Sequence, residues 1–149
     1  MKFKLKFFAI ISGGVFLFFL DRIIKLYIDQ FPFFSIKIFD WFQIEQAYNY
    51  GIAFGVPFNF WLLIILYIFI LTALIVGSVI NVKQKNLFSF GALFLIIMGA
   101  FSNLLDRIRF GYVIDYLYLK NFSIFNIADV MITVGAILYL YSNYVKRKK

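Results

Sequence analysis

The chain contains no histidine and no cysteine. A Ser-His-Asp triad, a thiol nucleophile and the usual zinc sites are therefore all excluded. Disulfides are excluded with them. Acid-base chemistry, if any, falls to Asp, Glu, Lys, Tyr or a lone Ser. Acidic residues are scarce as well, seven in 149. Four of the seven, Asp21, Asp106, Asp115 and Asp129, lie inside or at the edges of long apolar runs. A carboxylate is expensive there, so each one is a functional candidate.

Apolar residues, by contrast, are abundant: 64% of the chain, with a mean hydropathy of +0.91. A soluble core cannot hide that much apolar surface, so lipid must solvate much of it. The length allows one domain, spanning 1–149. The net charge of +8 points to the membrane rather than to nucleic acid because of where it sits. Lys2, Lys4 and Lys6, then Lys83 and Lys85, then Lys146, Arg147, Lys148 and Lys149 all flank apolar segments. That is the positive-inside pattern.

Four membrane helices are predicted, since lipid offers the backbone no outside partner. The first runs from about Phe7 to Ile28 and is interrupted by Asp21, Arg22 and Lys25. No small-residue cleavage site follows it, so it reads as a retained helix rather than a signal peptide. The second, about Phe60 to Ile80, is uncharged throughout. It is long enough to cross a hydrocarbon core of roughly 30 Å. The third runs from about Leu87 to Leu105 and ends at Asp106-Arg107. The fourth, about Ile127 to Tyr144, carries Asp129 in its first turn. The three basic stretches then fall on one side, predicted to be the cytoplasm, with both termini there. The connections about Asp29 to Asn59 and Asp106 to Asn126 face outward. Phe33 to Ile44 alternates polar and large apolar residues and includes Trp41, which suits short strands at the outer interface. Val113 to Leu119 reads as a second extended piece. The expected fold is an all-α integral membrane protein of four transmembrane helices, with a small extracytoplasmic β-rich segment between helices 1 and 2.

Five polar clusters carry possible chemistry. Asp21 and Lys25, four apart, share a helix face; a self-neutralising ion pair is the plainer alternative to a site role. Asn49-Tyr50-Gly51-Ile52-Ala53-Phe54-Gly55 allows close backbone approach, or is simply a turn into helix 2 with Pro57 in its first turn. Gly99, Ala100 and Ser102 let helices pack closely, and Asn103, Asp106 and Arg107 recur at helical spacing. An interfacial anchor explains Arg107 and Arg109 but not the amide and carboxylate. Asp115 has apolar and aromatic neighbours, which raise its pKa if they enclose it; otherwise it is a solvated loop carboxylate. Asn126 can cap helix 4, with Asp129 closing a capping-box-like arrangement.

Taken in order, Asp21-x-x-x-Lys25, Asn49-x-Gly51-x-Ala53-Phe54-Gly55, Asn103-x-x-Asp106-Arg107, Gly111-x-Val113-x-Asp115 and Phe125-Asn126-x-Ala128-Asp129 resemble the lipoprotein signal peptidases (signal peptidase II) over nearly the whole chain. The chain departs at Met98-Gly99-Ala100-Phe101-Ser102-Asn103, where that family usually has Gly-Gly-Ala-x-Gly-Asn, and the connection between the two aspartates is short. The resemblance implies a membrane aspartyl endopeptidase with no cofactor and no metal. It would remove signal peptides from prolipoproteins by cutting before a diacylglyceryl cysteine. It implies Asp115 and Asp129 as the catalytic dyad. Asn49, Asn103, Arg107 and Asn126 are candidates for binding substrate backbone and orienting the dyad, with Asp21, Lys25 and Asp106 supporting them and Gly51 and Ala128 completing the motifs. The implied partners are lipidated prolipoproteins, membrane lipids and globomycin-type inhibitors; no nucleic acid is expected, and a monomer is. The implied location is the bacterial cytoplasmic membrane, with the site near the outer face. Rival readings are a small transporter or proton-relay subunit using the same aspartates, a Ser-Lys peptidase with Lys25 as base and Ser12 or Ser35 as nucleophile, and a structural or assembly protein.

Overall fold

The computed structural model describes residues 2–31, 33–52, 56 and 58–148. Ala53, Phe54 and Gly55 of the glycine-containing motif, and Pro57 and Lys149, lie outside the described residues. Four long apolar helices, α1 (Lys2–Asp29), α2 (Phe60–Lys83), α3 (Leu87–Phe110) and α4 (Ile127–Arg147), meet the length and hydropathy of membrane spans. Two hairpins join them: β1 (Ser35–Phe39) with β2 (Phe42–Asn49) between α1 and α2, and β3 (Val113–Leu119) with β4 (Ser123–Phe125) between α3 and α4.

Asparagines start three of the helices. Asn59, Asn86 and Asn126 each accept a hydrogen bond from a first-turn amide of α2, α3 and α4 respectively. Lys83, Arg107, Arg109, Lys146 and Arg147 sit in last turns, where the helix dipole favours cations. α3 does not end at Asp106-Arg107 as its charge predicts. It continues to Phe110 and stops at Gly111, whose left-handed φ of 82° releases the chain. The charges are tolerated because Asp106 is paired inside the bundle with Lys25 and Arg22.

α3 is the most buried helix and packs against the other three. Its closest partner is α4. A Cβ on Gly99 would collide with the Ala128 carbonyl oxygen, and one on Gly135 would stand 2.7 Å from that of Ala92. Glycine at these crossings lets the two backbones touch. Large apolar side chains such as Phe16, Trp61, Ile65, Phe69, Ile137 and Leu140 point outward, which suits lipid rather than water.

The strands form one antiparallel sheet in the order β1-β2-β3-β4. The sheet is thus shared by both connections, not confined to the one between α1 and α2. β4 had no sequence signal strong enough to find it. Ala47 pairs with Asp115 and Asn49 with Val113, so Asn49 and Asp115 share a face. Ile114 and Tyr116 fall on the opposite face and are fully buried. In β3–β4, Leu117 pairs with Phe125, which brings the start of α4 back beside Asp115.

Candidate active site

Asp115 lies on β3 and is 4% exposed; Asp129 lies at the third residue of α4, half-buried. One side chain joins them. Asn126 donates from Nδ2 to Asp115 Oδ1 at 2.6 Å and accepts the Asp129 amide on Oδ1 at 2.9 Å. The Asp129 carboxylate returns the cap by accepting the Asn126 backbone amide at 3.2 Å, the reciprocal pair of a capping box. Asn103, from α3, donates to the other Asp129 oxygen at 2.7 Å.

The amide orientations are fixed by what lies behind them. Asn103 Oδ1 accepts from Lys25 Nζ at 2.8 Å and from Asn126 Nδ2 at 3.2 Å, so its Nδ2 must face Asp129. Lys25 also pairs with Asp21 at 3.0 Å and Asp106 at 2.8 Å, all three fully buried. Arg22 pairs with Asp106 and donates to the Ser102 carbonyl at 3.2 Å. The Asp21–Lys25 pair of the sequence is therefore half of a four-charge cluster with equal numbers of each sign. Such a cluster costs desolvation, which close geometry offsets.

Burial, and next the proximity of Asp129, push the Asp115 carboxyl up to about 7, against the lowering effect of the Asn126 and Asn49 amides and of Lys25. Burial, and next Asp21, push the Tyr116 hydroxyl up as well, so it stays a donor.

Both aspartates open into a cavity of about 640 Å³. Asn49, Tyr67, Asn103 and Arg107 line its polar end, and Leu63, Ile70, Ile96 and Ile132 its apolar remainder. α2 and α4 flank the cavity, each packed on α3 but hardly on the other, so the cleft opens between them. Arg107 donates to the Gly51 carbonyl at 2.9 Å and to the Tyr67 hydroxyl at 3.0 Å, and its guanidinium lies 5.1 Å from the Tyr67 ring centre. Asn49 accepts the Gly51 amide at 3.0 Å. Arg109 points away, exposed, over Phe110.

All eleven sequence candidates converge here. Asn103 and Asn126 have their donors engaged on the two carboxylates, Arg107 and Asn49 hold the Gly51 peptide, and Ala128 is fully buried with its amide on Asp21. Four participants escaped sequence reasoning. Arg22 was visible as a charge in an apolar run, and Tyr67 as a phenol in an uncharged span. Ser102 stands where the family usually has glycine and donates to Asp21 at 2.6 Å. Tyr116 carried no signal beyond following Asp115.

The profile of the family described as Signal peptidase (SPase) II matches residues 14–145. The chain is 37% identical to a lipoprotein signal peptidase of Caldanaerobacter subterraneus subsp. tengcongensis, over 67% of this chain and 69% of that one. It is 35% identical to that of Halothermothrix orenii, over 82% and 88%, and 34% identical to that of Haemophilus ducreyi, over 83% of each. A solved structure described as a bacterial membrane enzyme superposes with a TM-score of 0.85 at 31% identity, covering 93% of this chain and 89% of that chain. A second so described gives 0.79 at 32% identity, covering 90% and 91%. With its four apolar helices, the chain belongs to the lipoprotein signal peptidase (signal peptidase II) family, multi-pass bacterial membrane peptidases that remove signal peptides from lipoproteins.

Proposed function

We propose that this chain is an aspartic endopeptidase that cuts prolipoproteins immediately before a diacylglyceryl cysteine. One observation carries the reading: two carboxylates, both bonded by Asn126 and one also by Asn103, stand at the polar end of an apolar cleft between α2 and α4. The acyl chains of the modified cysteine would lie along the apolar walls while the scissile peptide reaches the polar end.

Two adjacent carboxylates in a buried site share one proton near neutral pH. Burial and the facing Asp129 push the Asp115 carboxyl up to about 7, so the pair holds one proton at neutral pH, and the reaction is written with that proton on Asp115. Asp129 takes a proton from water as the water oxygen bonds to the scissile carbonyl carbon. Asp115 gives its proton to the carbonyl oxygen, producing a neutral tetrahedral diol. On collapse Asp115 recovers that proton, Asp129 passes its own to the cysteine nitrogen, and the C–N bond breaks. The dyad returns to its starting state with no covalent intermediate and no metal.

Asn103 and Asn126 orient the two carboxylates. Arg107 and Asn49 fix the backbone of Gly51 and Ile52 at the polar end of the cleft, beside which the substrate backbone would bind. Asp21, Lys25 and Asp106 hold this shell together. A proton relay would need titratable groups through the depth of the cleft, but most of its lining is aliphatic.

The enzyme acts as a monomeric single domain with both termini in the cytoplasm and the sheet outside. A globomycin-type cyclic peptide would fill the same cleft. A gel-shift cleavage assay on a purified prolipoprotein, with and without its diacylglyceryl group, tests the specificity. Only the lipidated form should be cut, and equal cutting of both would refute it. Labelling single cysteines placed at Trp41 and Lys83 tests the orientation: Trp41 should react from outside and Lys83 only from inside.

A further inference from the structure

The two dyad segments meet at one atom on another helix. Asp21 Oδ1, from α1, accepts the Tyr116 hydroxyl at 2.9 Å and the Ala128 amide at 3.2 Å. Tyr116 is the residue after Asp115, and Ala128 the residue before Asp129. The Tyr116 oxygen in turn accepts the Ile127 amide at 3.2 Å.

A helix N-terminus leaves its first amides without intrahelical partners. In α4 the Ile127 amide goes to Tyr116, the Ala128 amide to Asp21 and the Asp129 amide to Asn126. The first regular helical bond is then Val130 to the Asn126 carbonyl at 3.2 Å. Tyr116 therefore supplies a partner that no neighbour in sequence provides. Its hydroxyl proton is committed to Asp21 and its lone pair to Ile127. Tyr116 is 1% exposed and lies on the face of β3 opposite Asp115, away from the cleft. It cannot touch substrate there.

Resting on the aspartic peptidase reading above, we infer that Tyr116 is a positioning residue: its hydroxyl, bridging Asp21 and the first amide of α4, sets the separation of Asp115 from Asp129. Asn126 links the carboxylates on the cleft side, and Tyr116 links their backbones on the buried side. With both links in place, β3 and the first turn of α4 cannot slide past one another. Without the hydroxyl, Asp21 keeps Ala128, but Ile127 loses its partner and β3 is released from both.

The test uses the full-length enzyme in detergent, assayed on a lipidated prolipoprotein, with thermal stability recorded separately. Tyr116→Phe removes the hydroxyl and keeps the ring. Ile127→Pro removes the donor at a first helical position, where proline is tolerated, after an Asn126 already extended at φ −133° and ψ 175° as a pre-proline residue requires. Each variant should lower kcat about tenfold and leave KM within twofold, because the groove that binds substrate is untouched. The double variant should be no slower than the slower single, since both break one link. Tyr116→Phe with kcat within twofold of wild type overturns the inference, as does a double variant whose loss is the product of the two single losses. Should Tyr116→Phe not fold, Ile127→Pro alone decides, and an unchanged kcat there overturns it. If wild type itself leaves the lipidated substrate uncut, the peptidase reading fails and this inference falls with it; wild-type cleavage with indifferent variants removes the inference alone.

Discussion

Asn126 faces Asp115 with its side-chain nitrogen at 2.6 Å, turning its side-chain oxygen to the amide of Asp129. The side chain is thus a helix cap and a dyad clamp in one, and the two duties can be separated. Asn126→Asp keeps a good cap but sets a third carboxylate against Asp115, so two acceptors meet where a donor and acceptor met. The cap should survive, but the unpaired buried acceptors should cost at least about 1–3 kcal/mol of stability, while kcat falls at least a hundredfold. Steady-state cleavage and thermal unfolding of the same preparation check both halves.

Asp115 gives a pH dependence of definite sign. Its carboxyl is pushed up to about 7 from 3.8 by burial and then by Asp129, so the folded chain holds a proton that the unfolded chain releases. Between those two values each rise in pH favours the unfolded state. Above about 7 the penalty is complete, at most about 4 kcal/mol. Asp115→Asn removes the titration. It should therefore unfold at a higher temperature than wild type at pH 8, with the gap closing towards pH 4, while losing activity. Wild-type cleavage should decline as pH rises past about 7, where the shared proton leaves. Unfolding midpoints of both proteins across that range test the sign.

Arg107 and Arg109 carry the same charge two residues apart and should behave differently. Arg107 is 6% exposed and forks between Gly51 and Tyr67, a planar geometry lysine cannot copy. Arg109 is exposed over Phe110. Arg107→Lys should lose most activity and Arg109→Lys should stay within about twofold. Both are measured at matched protein levels. Equal effects would mean that both are interfacial anchors.

Gly99 sets how closely α4 approaches α3. A methyl group there would collide with the Ala128 carbonyl oxygen, and that is backbone beside Asp129. Gly99→Ala should cost about 1–3 kcal/mol, as overpacking does, and should also slow cleavage by moving Asp129. Gly77→Ala is the contrast, since its new methyl meets only Leu93 Cδ1 at 3.4 Å, an ordinary contact. Unfolding midpoints and kcat for both variants separate close approach from helix propensity.

The four spans were legible because a bilayer imposes length and composition on each helix. β3 was legible because Val113 to Leu119 is rich in β-branched and aromatic residues. The end of α3 lies past its charged residues because the partners of Asp106 and Arg107 come from α1, from α2 and from the segment after β2, beyond the reach of a local pattern. Asp115, Asp129, Asn103 and Asn126 stand out in the sequence as motifs, but their bonding does not. Nothing in the spacing of Asn103 and Asn126 says that each turns its donor to a different aspartate. Lys25 decides that for Asn103, from 78 residues away. Tyr116 and Ser102 stayed hidden for the same reason, since both act on Asp21, which sits on another helix.

The central claim is that Asp115 and Asp129 share one proton and act as a pair. Gel-shift cleavage of a lipidated prolipoprotein by Asp115→Asn and by Asp129→Asn, each confirmed as folded by thermal unfolding, tests it most directly. An amide can neither share nor transfer that proton, so each variant should fall at least a thousandfold below wild type. Turnover within tenfold of wild type by either folded variant would contradict the account.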